Sequence, residues 1–188
     1  MFSNKVIIIT GSTQGIGLST AEMLIRRGAR LVINSRSPQK VETALCYLKE
    51  LTPNVIGLAG DVSNYEFCIA LCQFAIERFG RIDILINNAG VASSGVIKDM
   101  VPYAFEKVVK INLLGSVYPT LACLDKIRQQ KGSILFIASL AGIVGLPNYS
   151  AYAATKRAIV SLAESLRNEL TDDGVFVGVN YPGFTENE

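Results

Sequence analysis

Residues 6–17 read Val6-Ile7-Ile8-Ile9-Thr10-Gly11-Ser12-Thr13-Gln14-Gly15-Ile16-Gly17. An unbroken run of β-branched residues suits a strand covered on both faces rather than one with a wet side. The glycines after it mark a turn into a helix. Gly11 allows the tight bend, Gly15 lets backbone approach a phosphate, and Gly17 lets the helix pack close to the strand. Such a helix would present free N–H groups and the positive end of its dipole to an anion. After the first strand of a βαβ unit, this pattern points to a dinucleotide.

Outward from that turn, apolar runs alternate with segments of helical period. Strands are expected at Val6–Thr10, Leu31–Ser35, Val55–Ala59, Ile82–Asn87, Ile134–Ser139 and Val175–Tyr181. Helix ends are legible between them. Ser37 precedes Pro38 as N-cap and first helical residue, and Ser63-x-x-Glu66 has the form of a capping box before a helix closing at Gly80. One long helix is expected over Val101–Gln129, bent at Gly115 or Pro119, and a last one over Ala151–Leu170. Strict β-α alternation predicts the α/β class: a single doubly wound (Rossmann-type) parallel sheet with helices on both faces. Ligands of such sheets sit beyond the carboxyl ends of the strands.

Composition prunes the chemistry. The 188 residues hold 18 basic and 16 acidic side chains, interspersed, so no polyanion footprint exists and nucleic acid is not an expected partner. No histidine is present, which excludes Ser-His, Cys-His and zinc-histidine mechanisms, and no metal site is expected. The four cysteines form no C-x-x-C pair; Cys68 and Cys72 lie one helical turn apart and are read as core. A reducing, cytoplasmic setting is expected. The first strand begins within five residues of Met1, leaving no room for a signal peptide, and the longest apolar run, Ile134 to Leu146, is too short to span a bilayer.

The spacing T-G-x-x-x-G-x-G, with Asn87-Asn88-Ala89-Gly90, Asn112, Ser139, Tyr152-x-x-x-Lys156 and Pro182-Gly183, resembles the short-chain dehydrogenase/reductase family along essentially the whole chain. The resemblance implies a nicotinamide dinucleotide held by Gly11, Ser12, Thr13, Gly15, Ile16 and Gly17. It implies that Asp61 and Val62 flank the adenine, that Asn88 and Ala89 lie against a ribose, and that Gly183 and Thr185 stand near the nicotinamide. The family usually places that threonine two residues later, where this chain has Asn187.

The residues themselves address which dinucleotide. A carboxylate about 20 residues past the turn would bind the ribose hydroxyls of NAD. Here strand two ends Asn34-Ser35-Arg36, with no acidic residue between Ala29 and Val41. Ser35 can donate to a 2′-phosphate and Arg36 can pair with it, so NADP is expected over NAD. Gln14 occupies the position where some NADP-preferring family members carry a further basic residue.

Tyr152 and Lys156 are four apart, hence on one helix face, and Ser139 ends the strand before that helix. A phenol ionises near pH 10, and a nearby ammonium would favour its anion. Tyr152 is thus the expected acid/base and Ser139 a donor to the substrate oxygen. By resemblance, Lys156 also binds the nicotinamide ribose and Asn112 completes the set by holding a relay water. The expected reaction moves hydride between NADP(H) and a small-molecule carbonyl or alcohol; a dinucleotide-binding protein without turnover is the alternative. The loops Val91–Ile97 and Leu140–Tyr149 suggest an apolar substrate body. Strand six is too apolar for a bare sheet edge, so the domain over 1–188 is expected to be incomplete at its C-terminal end. A homodimer through the two long helices is expected, without a stable tetramer.

Overall fold

The structure, a computed structural model, describes residues 2–183. Six strands form one sheet in the order β3-β2-β1-β4-β5-β6, every pairing parallel. They are β1 (Val6–Ile9), β2 (Arg30–Ser35), β3 (Val55–Ala59), β4 (Ile84–Asn87), β5 (Ser133–Ile137) and β6 (Phe176–Asn180). Each lies within about two residues of its expected place. All four residues of β1 are fully buried, which explains why their sequence does not alternate. The order reverses between β1 and β4, so the crevice beyond their carboxyl ends is the place for a ligand.

Helices α1 (Gly15–Arg26) and α2 (Pro38–Lys49) cover one face. The other face carries α3 (Tyr65–Phe79), α5 (Gly115–Gln129) and α6 (Ser150–Glu169), packed over Leu85, Ile134, Phe136 and Val177. Ser37 caps α2 as expected, accepting from Lys40 N–H at 3.3 Å. The capping box at Ser63 and Glu66 does not form. Asn64 caps α3 instead, accepting from Phe67 N–H at 2.8 Å, because the Ser63 hydroxyl is committed to the Asp61 carboxylate at 2.8 Å. Gly80 ends α3 at φ 78°, a left-handed position suited to glycine.

The expected long helix is interrupted over the six residues that run up to Gly115, and not at Pro119. Helix α4 (Pro102–Val108) passes into a wide π turn over Val109–Leu114, and α5 follows with Pro119 inside it. Asn112 lies in that wide turn and is fully buried. Its amide engages the loop after β4 and helix α6, and π turns commonly accompany functional positions. Strand β6 is an outer strand among the described residues, with Phe176 65% exposed.

Candidate active site

A cleft of about 390 Å³ opens beyond the carboxyl ends of the strands. That is within the roughly 300–1,000 Å³ typical of small-molecule sites. Its first wall is the glycine turn. Gly11 (φ 63°) and Gly15 (φ 52°) both adopt left-handed backbone. A Cβ on Gly17 would come within 2.5 Å of the Gly11 carbonyl and the Asn88 amide, so only glycine permits this approach. Gly11, Thr13, Gly15, Ile16 and Gly17 all line the cleft. Ser12 does not. Its side chain is buried, its hydroxyl donates to Ile9 C=O at 2.7 Å, and it accepts from Asn34 N–H at 3.0 Å. It joins β1 to β2 and leaves the cleft to its neighbours.

The N-terminus of α1 carries no acidic residue and no side-chain cap. Its first N–H groups are therefore free to meet an anion. Asn88 closes the turn from across the switch point: its amide donates to Thr10 C=O at 2.9 Å and Gly11 C=O at 2.8 Å. The Thr10 hydroxyl accepts from the N–H groups of Asn88 (3.1 Å) and Ala89 (3.0 Å). Ala89 then forms the cleft floor. Asn87 ties β4 to α5 through Thr120, at 2.9 Å.

Ser35 and Arg36 stand at the end of β2 on the same cleft, with Asp61 and Val62 beyond β3. Asp61 accepts from the Ser63 N–H and hydroxyl at 2.9 and 2.8 Å. At the opposite end, Ser139, Tyr152, Lys156 and Gly183 come together. Ser139 initiates a 3-10 turn over Leu140–Gly142, accepting from Ala141 N–H at 3.2 Å. Leu140 N–H donates to Pro182 C=O at 3.1 Å, which brings the Pro-Gly turn beside it.

Lys156 is 4% exposed, and its ammonium donates to Ile137 C=O at 2.7 Å. Burial pushes its pKa down to about 8. The Nζ lies 5.6 Å from the centroid of the Tyr152 ring, and Tyr149 meets that ring edge-on at 6.5 Å.

Asn112 does not line the cleft. Its Oδ1 accepts from Val91 N–H at 2.8 Å, and its Nδ2 donates to Val91 C=O at 3.0 Å and Thr155 Oγ1 at 3.1 Å. Both amide protons are thereby committed. Thr155 in turn donates to Tyr152 C=O at 2.8 Å, so Asn112 joins the cleft loop to the helix bearing Tyr152 and Lys156. Thr155 and the Ile137 carbonyl were not anticipated from sequence, and nothing in a Thr or an Ile marks such a partner. Thr185 lies outside the described residues. Among those residues, no helix is long and apolar enough to cross a membrane.

Comparison with known proteins agrees with this geometry. The chain is 38% identical, over 192 aligned residues, to the 11-beta-hydroxysteroid dehydrogenase-like 4A of Arabidopsis thaliana, matching 98% of this chain and 62% of that protein. It is 33% identical to the 3-ketodihydrosphingosine reductase of Bos taurus, over 96% of this chain and 56% of the relative. A crystal structure of a short chain dehydrogenase/reductase from Burkholderia phymatum, in complex with NAD, superposes with a TM-score of 0.96 at 30% identity. That match covers 99% of this chain and 68% of the other. The chain thus spans about three fifths of the length of these curated relatives. The family model for short chain dehydrogenases matches residues 5–188, and with the glycine turn and the Tyr152–Lys156 face in place, the chain belongs to that family.

Proposed function

We propose that the chain is an NADP(H)-dependent oxidoreductase that interconverts a carbonyl and an alcohol on a largely apolar small molecule. The observation that carries this reading is the convergence of Ser139, Tyr152 and Lys156 on the cleft whose other wall is the glycine turn. The donor set suits a nicotinamide dinucleotide. Uncapped N–H groups at α1 fit a pyrophosphate, and the close approach that Gly17 alone permits leaves the backbone accessible to it. At the adenine end, Ser35 and Arg36 suit a 2′-phosphate, with Asp61 and Val62 beside the base.

When bound, the cofactor supplies the hydride. The chain's own groups handle the proton. Tyr152 gives its phenolic proton to the substrate oxygen in reduction and takes one back in oxidation, while Ser139 donates a hydrogen bond to that oxygen. The Lys156 ammonium, protonated at neutral pH, favours the phenolate left behind. Asn112 fixes the loop at Val91 and the helix at Thr155, and so positions the face that carries Tyr152 and Lys156. In the loops expected to meet the substrate, Ile97, Leu140, Ile143 and Val144 each expose more than half of their surface, in keeping with an apolar substrate body.

NADPH oxidation over a panel of ketones, run beside calorimetric titration of NADPH and NADH, tests the reading. Turnover with preferential NADPH binding is expected. Arg36→Ala should weaken NADPH about ten- to hundredfold and leave NADH nearly unchanged. Equal losses for both cofactors would overturn the NADP assignment. Saturable binding without turnover on any ketone would instead favour a non-catalytic binder.

A further inference from the structure

We infer that Lys40, held in place by Gln14, is a second cation for the ribose 2′-phosphate, acting beside Arg36. The inference rests on the NADP reading above and extends it to Lys40, outside the glycine turn and the β2 terminus, and to Gln14 within that turn. Lys40 occupies the first turn of α2, and Gln14 is the residue before α1. Although 26 positions apart, they meet: Lys40 Nζ donates to Gln14 Oε1 at 2.6 Å. Both line the same cleft as Ser35 and Arg36.

The chemistry of this pair matters. A carboxylate at position 14 would neutralise the ammonium, and a lysine there would repel it. A neutral amide oxygen does neither. It limits the rotamer freedom of a long exposed side chain while leaving the charge available, so less ordering entropy opposes capture of a phosphate. None of the ion pairs among the described residues involves Arg36 or Lys40. The cleft's carboxylate, Asp61, is already engaged by Ser63 through the same Oδ1. Two uncompensated cations from different elements thus border the end of the cleft where the 2′-phosphate would lie. Gln14 is a positioning residue and Lys40 a binding one.

Calorimetric titration of 2′,5′-ADP against 5′-AMP isolates the phosphate without turnover or hydride chemistry. Lys40→Ala should weaken 2′,5′-ADP about tenfold and leave 5′-AMP within twofold, whereas Lys40→Arg keeps most of the preference. Gln14→Ala should cost several-fold in the wild-type background and nothing further when Lys40 is already alanine, the signature of a residue acting through another. The wild-type preference should also shrink as salt is raised. If Lys40→Ala weakens both probes equally or neither, while Arg36→Ala still removes the preference, the role of Lys40 is refuted and the NADP reading stands. If the wild-type protein binds both probes alike, the NADP reading itself fails and the inference falls with it.

Discussion

Lys156 places its ammonium 5.6 Å from the centre of the Tyr152 ring while donating to the Ile137 carbonyl at 2.7 Å. The charge is thus fixed to the end of β5, and α6 carries the phenol over it. Removing only the phenolic oxygen should separate binding from chemistry. Tyr152→Phe is expected to lower turnover by about 10²–10⁴-fold, the usual worth of an acid/base group, with NADPH affinity within a few-fold. Stopped-flow turnover and fluorescence titration check both halves. Retention of most activity would remove Tyr152 from its role.

The depressed pKa of Lys156 makes a stability prediction with a definite sign. Below pH 8 the lysine is protonated in both folded and unfolded chains, and the folded state bears the full cost of a buried charge. Between about 8 and the unperturbed value near 10.4, the unfolded chain binds the extra proton, so stability rises with pH. Lys156→Met lacks this dependence. Urea unfolding at pH 7 and pH 10 should show the wild type gaining up to about 3 kcal/mol relative to the variant. Parallel pH profiles would show that burial does not depress the group.

These two residues were legible because their spacing on one helix and their place after β5 are local facts. The sheet was legible for a similar reason: β1, with its four buried β-branched residues, admits no other reading. Less could be read where partners are remote. Asn112 meets Val91 across 21 positions and Thr155 across 43, and the wide π turn that holds it has no periodicity of its own. Ser63 and Asn64 are both competent caps, and only the claim of Asp61 on Ser63 decides between them. By resemblance Ser12 belongs to the anion cradle, yet its hydroxyl is taken up by Ile9 C=O of β1 and Asn34 N–H of β2.

Asn112→Ala should therefore be read first as a structural change. It leaves the half-buried N–H and C=O of Val91 without their partners and removes one of the two hydrogen bonds of the Thr155 hydroxyl, at about 1–3 kcal/mol. For a chain of this length that is a fall in Tm of roughly 2–12 °C. Differential scanning calorimetry measures it. A Tm within a degree of wild type would mean the three hydrogen bonds contribute nothing net.

Assembly follows from side chains that the single chain leaves partly uncovered. On the π turn and α5, Leu113, Leu114, Val117 and Leu124 are half-buried and Leu121 is exposed, while Leu162 and Leu166 on α6 are half-buried too. A dimer through these helices is expected. Light scattering at micromolar concentration should give about twice the 20.3 kDa chain mass. A mass of one chain refutes the dimer, and one of four chains refutes the expectation that assembly stops there.

The hydrogen bonds from Asn88 to Thr10 and Gly11 span 78 and 77 positions. A turn read from twelve contiguous residues is therefore completed only when β4 arrives. Closing so long a segment carries an entropic cost that nearby contacts cannot recover, and parallel pairings of this kind form slowly. During synthesis, β1 has one edge open until β4 emerges and pairs with it. Dinucleotide affinity should accordingly appear late in refolding, after the central strands have paired, and serve as a kinetic reporter of that step.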